Sequence, residues 1–108
     1  MWTEHLQANG FRVKPEHVEH PEAYRRQYGI PDRLGGCHTA VVGGYAIEGH
    51  VPANEIKRLL AERPQARGLA VPGMPGGSPG MEGSRPEAFD VLLVHPDGRY
   101  TVYARYGR

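Results

Sequence analysis

An α/β domain is the fold class this sequence predicts, and three observations carry that reading. Two pairs of short alternating segments, around Gly43-Gly44 and around Pro96-Asp97-Gly98, read as β-hairpins. Between them lies a stretch with apolar residues at helical spacing, at Ile56, Leu59 and Leu60. A segment in which Gly and Pro nearly alternate, residues 68–82, separates that helix from the second hairpin.

The elements follow in order. Trp2 and Leu6 are spaced i,i+4 and Asn9-Gly10 is a helix stop, so residues 2–9 predict a short amphipathic helix. Nothing precedes it to supply an N-cap, so the chain is expected to begin inside an element. Phe11 and Val13 alternate like a strand that Pro15 ends. Pro21 opens a second helix with Tyr24 and Tyr28 on one face, closed by Gly29 and Pro31. Residues 39–42 and 45–48 flank Gly43-Gly44, a pair suited to a two-residue turn with positive φ. Pro52 begins a third helix, with Lys57, Arg58 and Glu62 on its outer side and Pro64 as its stop. The final hairpin runs from Phe89 to Val94 and from Arg99 to Tyr106, with Tyr100, Val102, Ala104 and Tyr106 expected on one face. The Gly/Pro segment contains Leu69, Val71, Met74 and Met81, so it reads as a shaped loop rather than a polar tether.

Composition narrows the function. A chain of 108 residues fits one domain with one core. Lys and Arg number 13 against 12 Asp and Glu, so the net charge of +1 argues against an electrostatic nucleic-acid binder. Gly (15) and Pro (10) together make about twice the usual share, which places much backbone in turns. The longest aliphatic run, residues 91–94, is far too short to span a bilayer. No basic stretch followed by an apolar one is present, so no signal peptide is expected here. One cysteine, Cys37, excludes an intrachain disulfide, and the absence of paired Cys spacing argues against a zinc finger.

The residues with chemistry are soft donors. Cys37, Met74 and Met81 carry thiolate and thioether sulfur, which select Cu(I) over hard cations. Met74 and Met81 lie seven apart with Pro and Gly between, so the backbone can aim both sulfurs at one point. His38 adjoins Cys37, and His50 follows Gly49 just before a helix, where the hairpin brings the two stretches together. The remaining histidines, His5, His17, His20 and His95, read as solvated surface residues. Neither a nucleophile elbow nor a phosphate-cradling Gly-rich loop ending in Lys-Ser/Thr is present.

Several ordered motifs resemble the DUF411 family of predicted metal-binding proteins: Cys37-His38-Thr39-Ala40, Gly49-His50-Val51-Pro52-Ala53, the run from Gly68 to Pro75, and the run from Gly77 to Glu82. The resemblance extends from Trp2-Thr3-Glu4-His5-Leu6 through the last hairpin. It implies a bacterial, periplasmic or exported protein associated with copper resistance or delivery. That family typically carries Cys-Gly-Cys-Cys just before the tryptophan corresponding to Trp2, where this sequence has Met1. The start is therefore expected to be shortened and the first strand missing, leaving a sheet edge through which a homodimer could form. Residues 37–60 are also similar in layout to the strand–turn–strand–helix end of glutaredoxin-like proteins, which implies a thioredoxin-like mixed sheet with flanking helices.

The expectation is thus a single metal-binding domain over residues 1–108, a Cu(I) carrier or buffer rather than an enzyme. Cys37 would be the anionic ligand, Met74 and Met81 its neutral partners, and His38 or His50 would complete the sphere and allow weaker Cu(II) binding. A copper-receiving or copper-exporting protein is the expected partner, with no nucleic acid and no membrane span. The alternatives are a monothiol glutaredoxin-like redox protein and a protein-interaction domain that binds no metal.

Overall fold

The computed structural model describes residues 2–12, 27, 29–30, 39–72 and 87–107. The elements are α1 (Trp2–Ala8), β1 (Thr39–Val42), β2 (Tyr45–Glu48), α2 (Ala53–Glu62), β3 (Gly68–Ala70), β4 (Phe89–Val94) and β5 (Tyr100–Tyr106). The expected strand at Phe11 and Val13 and the helix from Pro21 lie outside the described residues, apart from Phe11, Arg12 and a helical Gln27. Phe11 is not in a strand; it packs against the edge of the core.

The five strands form one mixed sheet in the order β1-β2-β3-β4-β5. Neighbouring strands are antiparallel except β2 and β3, which are parallel. A parallel neighbour cannot be reached by a tight turn, and α2 is the crossover that makes the connection. The hairpin of β1 and β2 turns at Gly43 (φ +56°) and Gly44 (φ +88°), the paired positive values a two-residue turn requires.

The interior strands β2 and β3 are buried on both faces, each face with its own apolar cluster. On the first, Ile47, Leu69 and Val91 meet Trp2 and Leu6 of α1 and Ile56 and Leu59 of α2. On the second, Ala46, Ala70, Leu92 and Val94 pack with Ile30. Each large apolar side chain so enclosed contributes roughly 1.5–3 kcal/mol relative to exposure. All four residues of β2 are buried, as expected of an interior strand covered on both sides.

Two expectations need correction. The stretch from Gly68, read as one loop, begins instead as the central strand β3, with Gly68, Leu69 and Ala70 opposite Ala46, Ile47 and Glu48. Gly68 makes this feasible because it has no Cβ where the strands approach. The single face expected for Tyr100, Val102, Ala104 and Tyr106 is also broken. Ala104 opposes Val91 while Val102 opposes Leu92, so Tyr103 is an extra residue in β5. Such a bulge shifts the side-chain alternation. Tyr100 and Val102 are 47 % and 42 % exposed, whereas Tyr103, Ala104 and Tyr106 pack against the first cluster.

The bulge is tied to α2. Arg58 donates to the carbonyl of Tyr103 at 2.9 Å and to Glu62 at 3.1 Å, and its guanidinium lies 3.9 Å from the Tyr103 ring centre. The Tyr103 hydroxyl donates to Glu62 at 2.6 Å, and the Tyr106 hydroxyl donates to Glu55. Phe89 stacks on Tyr106 with ring centres 4.9 Å apart. Partial burial, and then the hydrogen bond to Glu62, push the Tyr103 phenol up to about 12. The same causes, with Glu55 as acceptor, raise Tyr106 as well. A phenol with a raised pKa is held neutral in the folded state while its unfolded counterpart ionises. The unfolded chain then binds fewer protons, so stability falls with rising pH. The stabilisation is fully present below the ordinary tyrosine value of 10.0, and its loss is expected to begin there and to continue to about 12. Phenolate absorbance, followed with chemical denaturation across that range, should show late titration of Tyr103 and Tyr106. Normal titration of every tyrosine would contradict these contacts.

Candidate functional site

One end of the sheet gathers the points where the donor-bearing stretches join the described fold. Because β1 runs antiparallel to β2 and β3 runs parallel to it, the start of β1 meets the ends of β2 and β3. The register confirms this, with Thr39 opposite Glu48 and Glu48 opposite Ala70. Carboxyl ends of neighbouring strands are where open α/β sheets place their ligands.

Beyond Glu48 the backbone turns sharply. Gly49 adopts φ +78°, and the Val51 N–H donates back to the Gly49 carbonyl at 2.9 Å. The turn holds His50 at 6 % exposure immediately before α2. Three contacts from elsewhere brace it. The Val71 N–H donates to the Glu48 carbonyl at 2.9 Å. The Trp2 indole N–H donates to the Val51 carbonyl at 2.7 Å. His5 accepts a hydrogen bond at Nε2 from the Ala53 N–H at 3.1 Å. Pro52, the N-cap of α2, has no side chain able to cap the helix, so His5 of α1 satisfies one of its orphan donors. A hydrogen bond of this kind at a helix start contributes about 1 kcal/mol. His5 is therefore a half-buried structural residue rather than a solvated one; His95, likewise half-buried, shares a hydrogen bond with the Thr101 hydroxyl at 2.8 Å.

Of the five expected ligands, the structure places His50 at this end of the sheet. Cys37, His38, Met74 and Met81 lie outside the described residues. The chain bearing Cys37 and His38 joins the described fold at Thr39, and the chain bearing Met74 and Met81 leaves it at Pro72. Among the described residues, no group of three or more His, Cys, Asp and Glu side chains is arranged to hold an ion. No helix among them is long and apolar enough to cross a membrane.

Sequence reading missed Glu48. Alternation in a half-buried hairpin would send it outward with Ala46, yet it is 0 % exposed and accepts a hydrogen bond at Oε2 from the Thr39 hydroxyl. Its burial follows from the cover on the second face, which no local pattern announces.

A family model described as "Protein of unknown function, DUF411" matches residues 34–81. Two solved structures, of copper resistance protein copG in form 2 and form 1, are each 45 % identical to this chain at a TM-score of 0.91. They cover 97 % of this chain, which in turn covers 85 % and 84 % of theirs. This chain belongs to the DUF411 family. A comparison with curated proteins gives no match. The DUF411 match spans β1, β2, α2 and β3, and so includes Thr39, Glu48, His50 and Ala70 but not the bracing residues Trp2 and His5 of α1.

Proposed function

We propose that this DUF411 protein binds copper as cargo, carrying or buffering Cu(I) at a soft site assembled at the shared end of β1, β2 and β3. The observation that supports it most is the row Thr39–Glu48–Ala70, which brings the attachment points of both donor-bearing stretches beside the buried His50. The likeness to copper resistance proteins over nearly the whole chain supports copper in particular.

In this reading Cys37 is the anionic ligand, Met74 and Met81 are neutral thioether ligands, and His38 or His50 completes the sphere. Thiolate and thioether favour Cu(I), while imidazole admits Cu(II) more weakly. A carrier needs exchangeable ligands and no activated water, so no turnover is proposed. Delivery to, or receipt from, another copper-handling protein in the periplasm or outside the cell fits such a role.

Anaerobic Cu(I) titration against a competing chelator tests the proposal. Wild-type protein should bind, Cys37→Ala should lose most of the affinity, and Met74→Leu with Met81→Leu should lose less because neutral donors are removed. Unchanged affinity in Cys37→Ala would take that thiol out of the site. Turnover of a glutathione mixed disulfide by the metal-free protein would favour thiol-redox chemistry instead.

A further inference from the structure

We propose that β5 is an edge shaped to pair with β5 of a second copy of this chain, and that Arg58 of α2 holds that edge closed. Copper plays no part in it.

Among the described strands β5 is the last of the sheet, beside β4 alone. Its seven residues include neither Pro nor Lys and are mostly aromatic or β-branched, types that favour a strand. Tyr100, Thr101 and Val102 are exposed, Tyr100 at 47 % and Val102 at 42 %. A strand of this composition at a sheet edge is a template for another chain. The chain that fits it is its own copy. Tyr100 and Val102 lie opposite Val94 and Leu92, and so share the second face. Antiparallel pairing of two copies about Thr101 sets Tyr100 of each opposite Val102 of the other. Aromatic and β-branched side chains directly opposite one another make favourable cross-strand pairs. Both exposed apolar side chains of β5 are thereby covered.

The same register meets an obstacle. It sets Arg99 of one copy opposite Tyr103 of the other, and Arg58 already stands at Tyr103. Arg58 donates to the Tyr103 carbonyl at 2.9 Å, and its guanidinium lies 3.9 Å from the ring centre. Glu62 accepts from both Arg58 Nε and the Tyr103 hydroxyl, which keeps the guanidinium in place. Arg99 lies 3.5 Å from Asp97 but keeps 87 % of its side chain exposed, so its charge stays at the edge. Pairing would therefore bring two guanidiniums together at each end of the joined strands, and like charges placed opposite are destabilising. The bulge at Tyr103 ends regular pairing at the same point. The Arg58 and Glu62 side chains are about half exposed, and an ion pair so exposed contributes little to stability. This cluster thus guards the edge more than it holds the fold.

Sedimentation velocity of the full chain over a range of concentrations is the test. Arg58→Met removes the charge and the bond to Tyr103 but keeps an apolar stem. Arg99→Glu instead places a carboxylate opposite Arg58 of the second copy. Each variant should self-associate at least about 10-fold more tightly than wild type. Arg58→Met/Val102→Lys should return to the wild-type value, because it breaks both Tyr100–Val102 pairs and charges the edge. Far-ultraviolet circular dichroism establishes that each variant is folded, and should Arg58→Met not fold, Arg99→Glu decides by itself. Sedimentation like that of wild type in either folded single variant would overturn the proposal. So would association of Arg58→Met that survives Val102→Lys, since it would use another surface.

Discussion

Gly68→Ala is expected to remove a large part of the stability of this protein, roughly 3–5 kcal/mol. An ideal Cβ at residue 68 would lie 1.8 Å from the Ala46 carbonyl oxygen, 2.7 Å from its carbon and 2.8 Å from the Ala46 nitrogen. These are backbone atoms of the neighbouring strand, so no rotamer change can relieve the clash. Residue 68 must therefore move away from Ala46, which is its register partner and opens the parallel pairing of β2 and β3. That pairing lies in the middle of the five-stranded sheet, with an apolar cluster on each face. Ordinary overpacking of a core costs about 1–3 kcal/mol because side chains share the strain. Here they cannot. A domain of this size is stable by about 5–15 kcal/mol, so the loss is a substantial fraction of the whole. Denaturant titration should show a markedly lower midpoint, and thermal melting a fall of at least about 12 °C. A variant melting within a few degrees of wild type would mean that β2 and β3 are not in this register.

Trp2→Ala is the second large effect, at about 3–5 kcal/mol. The indole is 5 % exposed and joins the first cluster with Leu6, one turn further along α1. A seven-residue helix has no independent stability in water, so α1 persists through this packing. The same ring donates a hydrogen bond to Val51, the residue after His50. Trp2→Phe separates the two contributions. It keeps most of the apolar contact but leaves the Val51 carbonyl without that donor, for a smaller loss of about 1–2 kcal/mol. Circular dichroism melting ranks the three proteins. Because Trp2 is the sole tryptophan, wild-type fluorescence reports on this contact directly and should shift to the red as the chain unfolds. Equal stability of Trp2→Ala and wild type would contradict the docking of α1.

What was legible in the sequence was what neighbouring residues decide together. Gly43-Gly44 demanded a turn of positive φ, and the hairpin of β1 and β2 has the expected boundaries. Ile56 and Leu59 at helical spacing marked the buried side of α2, and Pro-Asp-Gly placed the turn between β4 and β5. Local reasoning also placed His50 after Gly49 and just before a helix, and the structure has it there, between the end of β2 and α2.

The sequence by itself determined the turns, the helix stripe and the set of soft donors, because each depends on residues within a few positions of one another. Only the tertiary structure decided that Gly68 begins a central strand, that Tyr103 is bulged out of register, that His5 caps α2 and that Glu48 is enclosed. Each of those depends on a segment distant along the chain: Ala46 against Gly68, Arg58 on the Tyr103 carbonyl, α1 at the start of α2, and a second apolar cluster over the sheet. A local pattern states which way a side chain faces along its own element. It does not state which other element will cover that face, and in this protein that cover gives Glu48 its place beside the proposed site.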